Sequence, residues 1–69
     1  MKKRSVRIAG HATSLSLEDE FWAELQAIAS AREQSFAALL EEVDAGRKPG
    51  ENLSSALRLF VLRWLKRSA

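Results

Sequence analysis

Residues His11-Ala-Thr-Ser-Leu-Ser-Leu-Glu-Asp19 run a short alternating strand straight into an amphipathic helix, with no hairpin partner between them. A strand's N–H and C=O groups need a neighbour, and a lone strand is unstable in water. No other stretch reads as a good second strand, so the expected partner is the same strand of another copy. The expected object is an intertwined homodimer joined by a two-stranded antiparallel ribbon. A ribbon of that size fits the DNA major groove.

The chain has 69 residues, room for one domain that buries little surface on its own. It has no cysteine and a single histidine, His11, which argues against disulfides, thiolate metal sites and a His-based triad within one subunit. No metal or other cofactor is expected. At 46% hydrophobic residues, association with a second copy is the natural way to cover apolar surface. Met1-Lys-Lys-Arg4 resembles the basic start of a signal segment, but no apolar stretch follows it. The apolar run 57–65 is interrupted by Arg58 and Arg63 and is too short to span a bilayer. A soluble, cytoplasmic protein is expected.

The formal charge of +2 hides an asymmetry. Residues 1–17 carry Lys2, Lys3, Arg4 and Arg7 and no acid, whereas Glu18, Asp19, Glu20, Glu24 and Glu33 face only Arg32 in the next stretch. The last segment is basic again through Arg58, Arg63, Lys66 and Arg67. A basic arm beside a ribbon is an electrostatic footprint for nucleic acid; a solvated tail is the plainer reading.

Residues 1–11 read as that basic arm. Within it Val6 and Ile8 alternate with Ser5, Arg7 and Ala9, either a short extra strand or an arm folded onto the body. At Gly10 the apolar parity changes, and residues 12–17 form the better strand, with Leu15 and Leu17 on one side and Ala12, Ser14 and Ser16 on the other. A first helix is expected over 18–33, its acidic start suited to the helix dipole, with Phe21, Leu25, Ile28 and Ala29 in one stripe widened by Trp22. Trp22 is placed in packing rather than in ligand stacking. Ser35 is a plausible N-cap for a second helix over 35–45, which Gly46 stops. A third helix over 53–67 repeats Leu53, Ala56, Leu57, Phe60, Val61, Trp64 and Leu65, and Leu59 and Leu62 extend its apolar surface nearly all round. A helix apolar on more than one face is expected to pack against both its own subunit and a partner.

Strand, helix, turn, helix resembles the ribbon-helix-helix superfamily of DNA-binding proteins. The likeness rests on Thr13-Ser-Leu-Ser-Leu17, on Phe21-Trp-Ala-Glu-Leu-Gln-Ala-Ile-Ala29 and on Ser35 opening the next helix, and so covers residues 12–45. The string from Lys3 to Glu18, continued by Phe21-Trp22 and by Asn52-Leu-Ser-Ser-Ala-Leu-Arg58, is similar to a bacterial subgroup of short single-domain members. The implied fold is mainly α with one short strand, a homodimer closed by an intermolecular ribbon, plus an extra C-terminal helix. The implied base-facing residues are Ala12, Ser14 and Ser16, with Lys2, Lys3, Arg4 and Arg7 as arm contacts to phosphates. Ser35 and Phe36 would hold a phosphate at a helix N-terminus. Leu15, Leu17, Phe21, Trp22, Leu25, Phe60 and Trp64 would form the dimer core. Two departures stand out. The base-facing residues are shorter than the long polar side chains usual there, so recognition would be weak, would come from Arg4, Arg7 and His11, or would concern something other than DNA. Leu53-Ser-Ser-Ala-Leu-Arg58 also resembles the anchoring helix start, in which case Ser54 and Ser55 anchor and 35–51 is an insertion.

The leading expectation is therefore a dimeric, sequence-recognising protein of double-stranded DNA, a transcriptional regulator. The alternative is a protein-interaction dimer on the same scaffold, with a protein partner on its acidic surface and weak or no DNA reading. A membrane-surface role for residues 53–67 is disfavoured because a small dimer needs that helix for its core. No enzyme is expected, since no histidine, cysteine or glycine-rich loop accompanies the acids. Leu15→Asp should leave the chain without a cooperative melt by circular dichroism. An unpaired carboxylate in the core costs several kcal/mol, comparable to the roughly 3–5 kcal/mol that so small a core supplies.

Overall fold

A computed structural model of the chain describes residues 2–68, the side chains of Lys2 and Ser68 excepted. The order of elements is β1 (Lys2–Ile8), β2 (His11–Leu17), α1 (Asp19–Ala31), α2 (Phe36–Ala45) and α3 (Leu53–Ser68). Two strands precede the helices where one was expected. The segment read as a basic arm is β1, and it pairs antiparallel with β2 within the same chain, from Ile8↔His11 to Lys2↔Leu17. The two-stranded ribbon is thus complete inside one copy.

The turn that closes it is Ala9-Gly10. Both residues have positive φ, +52° and +83°, the pattern of a type I′ turn whose twist matches that of the strands. A two-residue turn pairs even-numbered residues of β1 with odd-numbered residues of β2. The parity change at Gly10 is therefore the mark of a hairpin, not a break in a strand. Val6 and Ile8 join Leu15 and Leu17 on one face, where Ile8, Leu15 and Leu17 are buried. Alternation followed along one straight line misses this pairing, because the pattern folds back on itself at the turn.

The helices close over this inner face. On α1, Leu25, Ile28 and Ala29 are buried, and Phe21 and Trp22 pack half-buried beside them. The helix ends with Glu33 at φ +53°, Gln34 N–H donating to the Ala29 carbonyl (2.9 Å) and Glu33 N–H to that of Ser30 (3.1 Å), a Schellman motif. Ser35 caps α2, its Oγ accepting from Ala38 N–H at 3.1 Å, and Leu39 and Leu40 are buried. Asn52 caps α3, its Oδ1 accepting from the N–H groups of Ser54 (2.8 Å) and Ser55 (3.3 Å). Leu53, Ala56, Leu57 and Val61 face inward on α3.

Of the residues expected in a dimer core, Leu15, Leu17 and Leu25 are at most 1% exposed within this single chain. Phe21, Trp22, Phe60 and Trp64 pack partly buried against the same core. Leu65, expected on the packed stripe of α3, is 46% exposed instead. No helix among the described residues is long and apolar enough to cross a membrane.

Alanine at the first turn position bears the cost of a left-handed conformation, about 1–2 kcal/mol, which asparagine tolerates far better. Ala9→Asn should therefore raise the melting temperature by several degrees, on the scale of about 4–8 °C per kcal/mol for a domain this size. Gly10→Val should lower it by at least as much, both read by thermal unfolding.

Candidate nucleic-acid interface

The alternation that buries Leu15 and Leu17 turns the neighbouring residues outward. Lys3, Ser5 and Arg7 from β1 and Ala12, Ser14 and Ser16 from β2 are all exposed and share the outer face of the hairpin. They stand in cross-strand rows, Arg7 beside Ala12, Ser5 beside Ser14 and Lys3 beside Ser16. A cation thus brackets each end of a central serine pair, and no acid is among the six. The two cations stand four residue steps apart, about 13 Å along β1. That is close to four base-pair steps of duplex DNA at roughly 3.4 Å each.

Sequence reasoning placed Ala12, Ser14 and Ser16 on one face but missed that Lys3, Ser5 and Arg7 lie on the same one. The signal was present in the parity change combined with Ala9-Gly10. The other basic residues of the segment divide differently. Arg4 turns to the inner face, where its Nη2 lies 3.0 Å from Asp19 Oδ1 and its guanidinium sits 4.4 Å from the centre of the Trp22 ring. Arg4 therefore fastens β1 to α1. Lys2 lies in β1, but its side chain is outside the described residues.

The ribbon is held at both ends. At the tip, Ala9 N–H donates to Glu41 Oε2 at 3.2 Å. At the far end, Ser16 N–H donates to Ser54 Oγ at 3.3 Å, and Arg58 Nη2 donates to the Ser16 carbonyl at 3.1 Å. The register predicts this geometry. Hydrogen-bonded pairs that begin at Ile8–His11 recur every second residue, so Ala12, Ser14 and Ser16 present their backbone groups at the other edge of β2. Arg58 also grips Glu18, Nε to Oε1 at 3.0 Å and Nη2 to Oε2 at 3.4 Å, and its guanidinium lies 5.9 Å from the Phe21 ring centre. Arg58, read from the sequence as one of the cations of the basic last segment, thus joins the end of the ribbon, the start of α1 and α3.

Two helix starts were candidates for holding phosphate. Ser35 and Phe36 open α2, where the Phe36 ring lies edge-on to Trp22 at 4.8 Å and Trp22 in turn carries Arg4 of β1. The start of α3 touches the ribbon directly, through Ser54 on Ser16.

The Arg58 hydrogen bonds, aided by a backbone N–H, hold the Glu18 carboxyl below its ordinary value of 4.5. Glu42 is lowered in the same direction, first by Arg32 and then by Gln34. A folded-state pKa below the unfolded one contributes stability above the unfolded value and loses it as pH falls through the folded value. Glu18→Gln should therefore flatten the loss of stability below about pH 4.5 and leave the pH dependence above it unchanged, as measured by denaturant unfolding across an acid series.

A family model described as a ribbon-helix-helix domain matches residues 1–65. No curated protein and no solved structure matches the chain.

Proposed function

We propose, from the premise that the chain belongs to the ribbon-helix-helix family, that it binds double-stranded DNA by laying the outer face of its hairpin in the major groove and acts as a homodimeric transcriptional regulator. The family is generally one of DNA-binding regulators whose members dimerise. The observation that carries the reading is the outer ribbon face, with Lys3 and Arg7 at its two ends and only small side chains between them. Two strands about 4.8 Å apart fit a groove about 12 Å wide. The short Ser5, Ala12, Ser14 and Ser16 let the backbone approach the base edges, while the cations reach the groove's phosphate walls. Serine hydroxyls accept and donate, so base discrimination is modest and phosphate contacts dominate the affinity.

The strand pairing expected between two copies is supplied here by β1 within each copy. A joint along the other edge of β2 would have to break the hydrogen bonds that Ser54 and Arg58 make to Ser16. Each copy therefore brings its own ribbon, and two copies address two half-sites. The start of α3, next to the ribbon, is better placed than Ser35 and Phe36 to meet the flanking phosphate.

Fluorescence anisotropy on labelled duplex over a salt series tests the reading. Lys3→Ala with Arg7→Ala should weaken binding at least about tenfold and reduce the log–log salt slope by about 2 for each ribbon, since each neutralised phosphate adds roughly 0.9 to that slope. Arg4→Ala should leave the slope unchanged and lower the melting temperature instead. Ser14→Ala with Ser16→Ala should change the ratio of preferred-site to random-duplex binding more than the total affinity. Salt-insensitive binding, or none, would overturn the proposal in favour of a protein-interaction dimer.

A further inference from the structure

An open cleft of about 220 Å³ lies between α2 and α3. Its apolar lining comes from Val43 on α2 and from Ala56, Leu59 and Phe60 on α3. Ala56, Leu59, Phe60 and Arg63 stand at i, i+3, i+4 and i+7, so one face of α3 supplies an apolar bed that ends at a cation. A cavity of about 150 Å³ holds a benzene ring, so this one takes a ring or a branched alkyl group with a short arm.

Four charged residues also line the cleft, and three of them are engaged elsewhere. Glu42 accepts from Arg32 at 2.9 Å and from Gln34 at 3.1 Å. Arg47 pairs with Asp44 at 2.9 Å and donates to the Glu51 carbonyl. Glu51 Oε1 accepts from the Lys48 N–H at 3.3 Å. Arg63, by contrast, is exposed and has no ion pair or hydrogen bond among the described residues. Its backbone lies about 15 Å along α3 from the helix start that Glu51 precedes. Exposed charges at that separation are largely screened at physiological salt. The uncommitted group is thus a guanidinium, whose fork of donors matches a carboxylate.

We propose that this cleft binds a small aromatic or branched aliphatic carboxylate, its apolar group on Val43, Ala56 and Phe60 and its carboxylate on Arg63, and that the bound anion regulates the ribbon. The regulation follows from what the two walls hold. Glu41, next to Glu42 on α2, receives the Ala9 N–H at the tip of the ribbon, while Ser54 and Arg58 on α3 hold Ser16 at its far end. A ligand that bridges α2 and α3 fixes the spacing of these clamps and stiffens the ribbon. Ordering supplied by the anion need not be supplied by DNA, so the anion tightens DNA binding. That effect rests on the function proposed above; occupancy of the cleft does not.

Phenylacetate is the probe, titrated into the full chain without DNA at constant ionic strength and followed by two-dimensional amide NMR. Saturable shifts are expected at Val43, Ala56, Leu59 and Phe60, with a dissociation constant on the order of 1 mM. Arg63→Gln should weaken binding at least about tenfold, and neutral phenylacetamide should bind more weakly by the same factor. Ala56→Leu should abolish binding by filling the bed, with circular dichroism melts confirming that both variants fold. Three results would overturn the site: shifts that do not saturate by about 20 mM, phenylacetamide binding as tightly as phenylacetate, or Arg63→Gln binding like wild type. In fluorescence anisotropy, saturating phenylacetate should tighten duplex binding by wild type about fivefold and leave Ala56→Leu unchanged. An unchanged wild-type affinity would overturn the regulation. The Lys3 and Arg7 variants score the DNA reading separately, so its failure and that of the cleft are distinguishable.

Discussion

The register of the hairpin is the constraint on which everything else in this molecule depends. Because the turn holds two residues, Ala9 and Gly10, even positions of β1 share a face with odd positions of β2. One residue more or less would turn Val6 and Ile8 outward and bring Lys3 and Arg7 over the core. The buried cluster of Ile8, Leu15 and Leu17 and the cationic outer face are therefore two consequences of a single piece of turn chemistry. The strain of placing alanine at φ +52° is offset by that same core and by the Glu41 carboxylate that receives the Ala9 N–H.

What was legible in the sequence follows from how local each signal is. The helices are local objects. The spacing of Leu25, Ile28 and Ala29, the Ser35 cap and Gly46 each sit within a few residues of the structure they specify, and all can be read from a single stretch of chain. The family resemblance rests on those same local strings. The hairpin is less local and its signal is weaker. Asn-Gly would have announced a type I′ turn, whereas Ala-Gly contains only one residue that adopts positive φ freely. The β1 alternation was further masked by the charges at Lys3, Arg4 and Arg7, which look alike in sequence yet lie on opposite faces. Arg58 was least legible of all. Its contacts with Glu18 and Ser16 span 40 and 42 residues, and no local pattern records a pairing at that distance.

Placing the basic segment in a strand instead of an arm changes its physics. A flexible arm that orders on contact loses conformational entropy for each residue it fixes, about 1–2 kcal/mol of backbone freedom. In β1 that entropy is already lost in folding, so cations on the ribbon arrive preorganised. The clamps at both ends serve the same purpose. Glu41 holds the tip, and Ser54 with Arg58 holds the far end, so the ribbon is fixed through its backbone and its edge while its outer side chains face solvent. Arg4 illustrates the division of labour within the segment, being committed to Asp19 and Trp22 as a fastener while Lys3 and Arg7 stay exposed.

The same logic bears on how two copies would cooperate. In a ribbon shared between copies, strand pairing fixes both the dimer and the surface offered to DNA, so neither can change without the other. A ribbon completed within each copy separates the two. The outer face of the hairpin then sets what each copy reads, and the helix surfaces set how far apart and in what orientation two ribbons stand. On the proposed reading, substitutions at Ser14 or Arg7 would alter DNA binding while leaving the helical core intact. A chain of 69 residues with one small core has little room for independent parts. The two-residue turn provides one by making the ribbon a local structure, closed within residues 2–17 of a single chain.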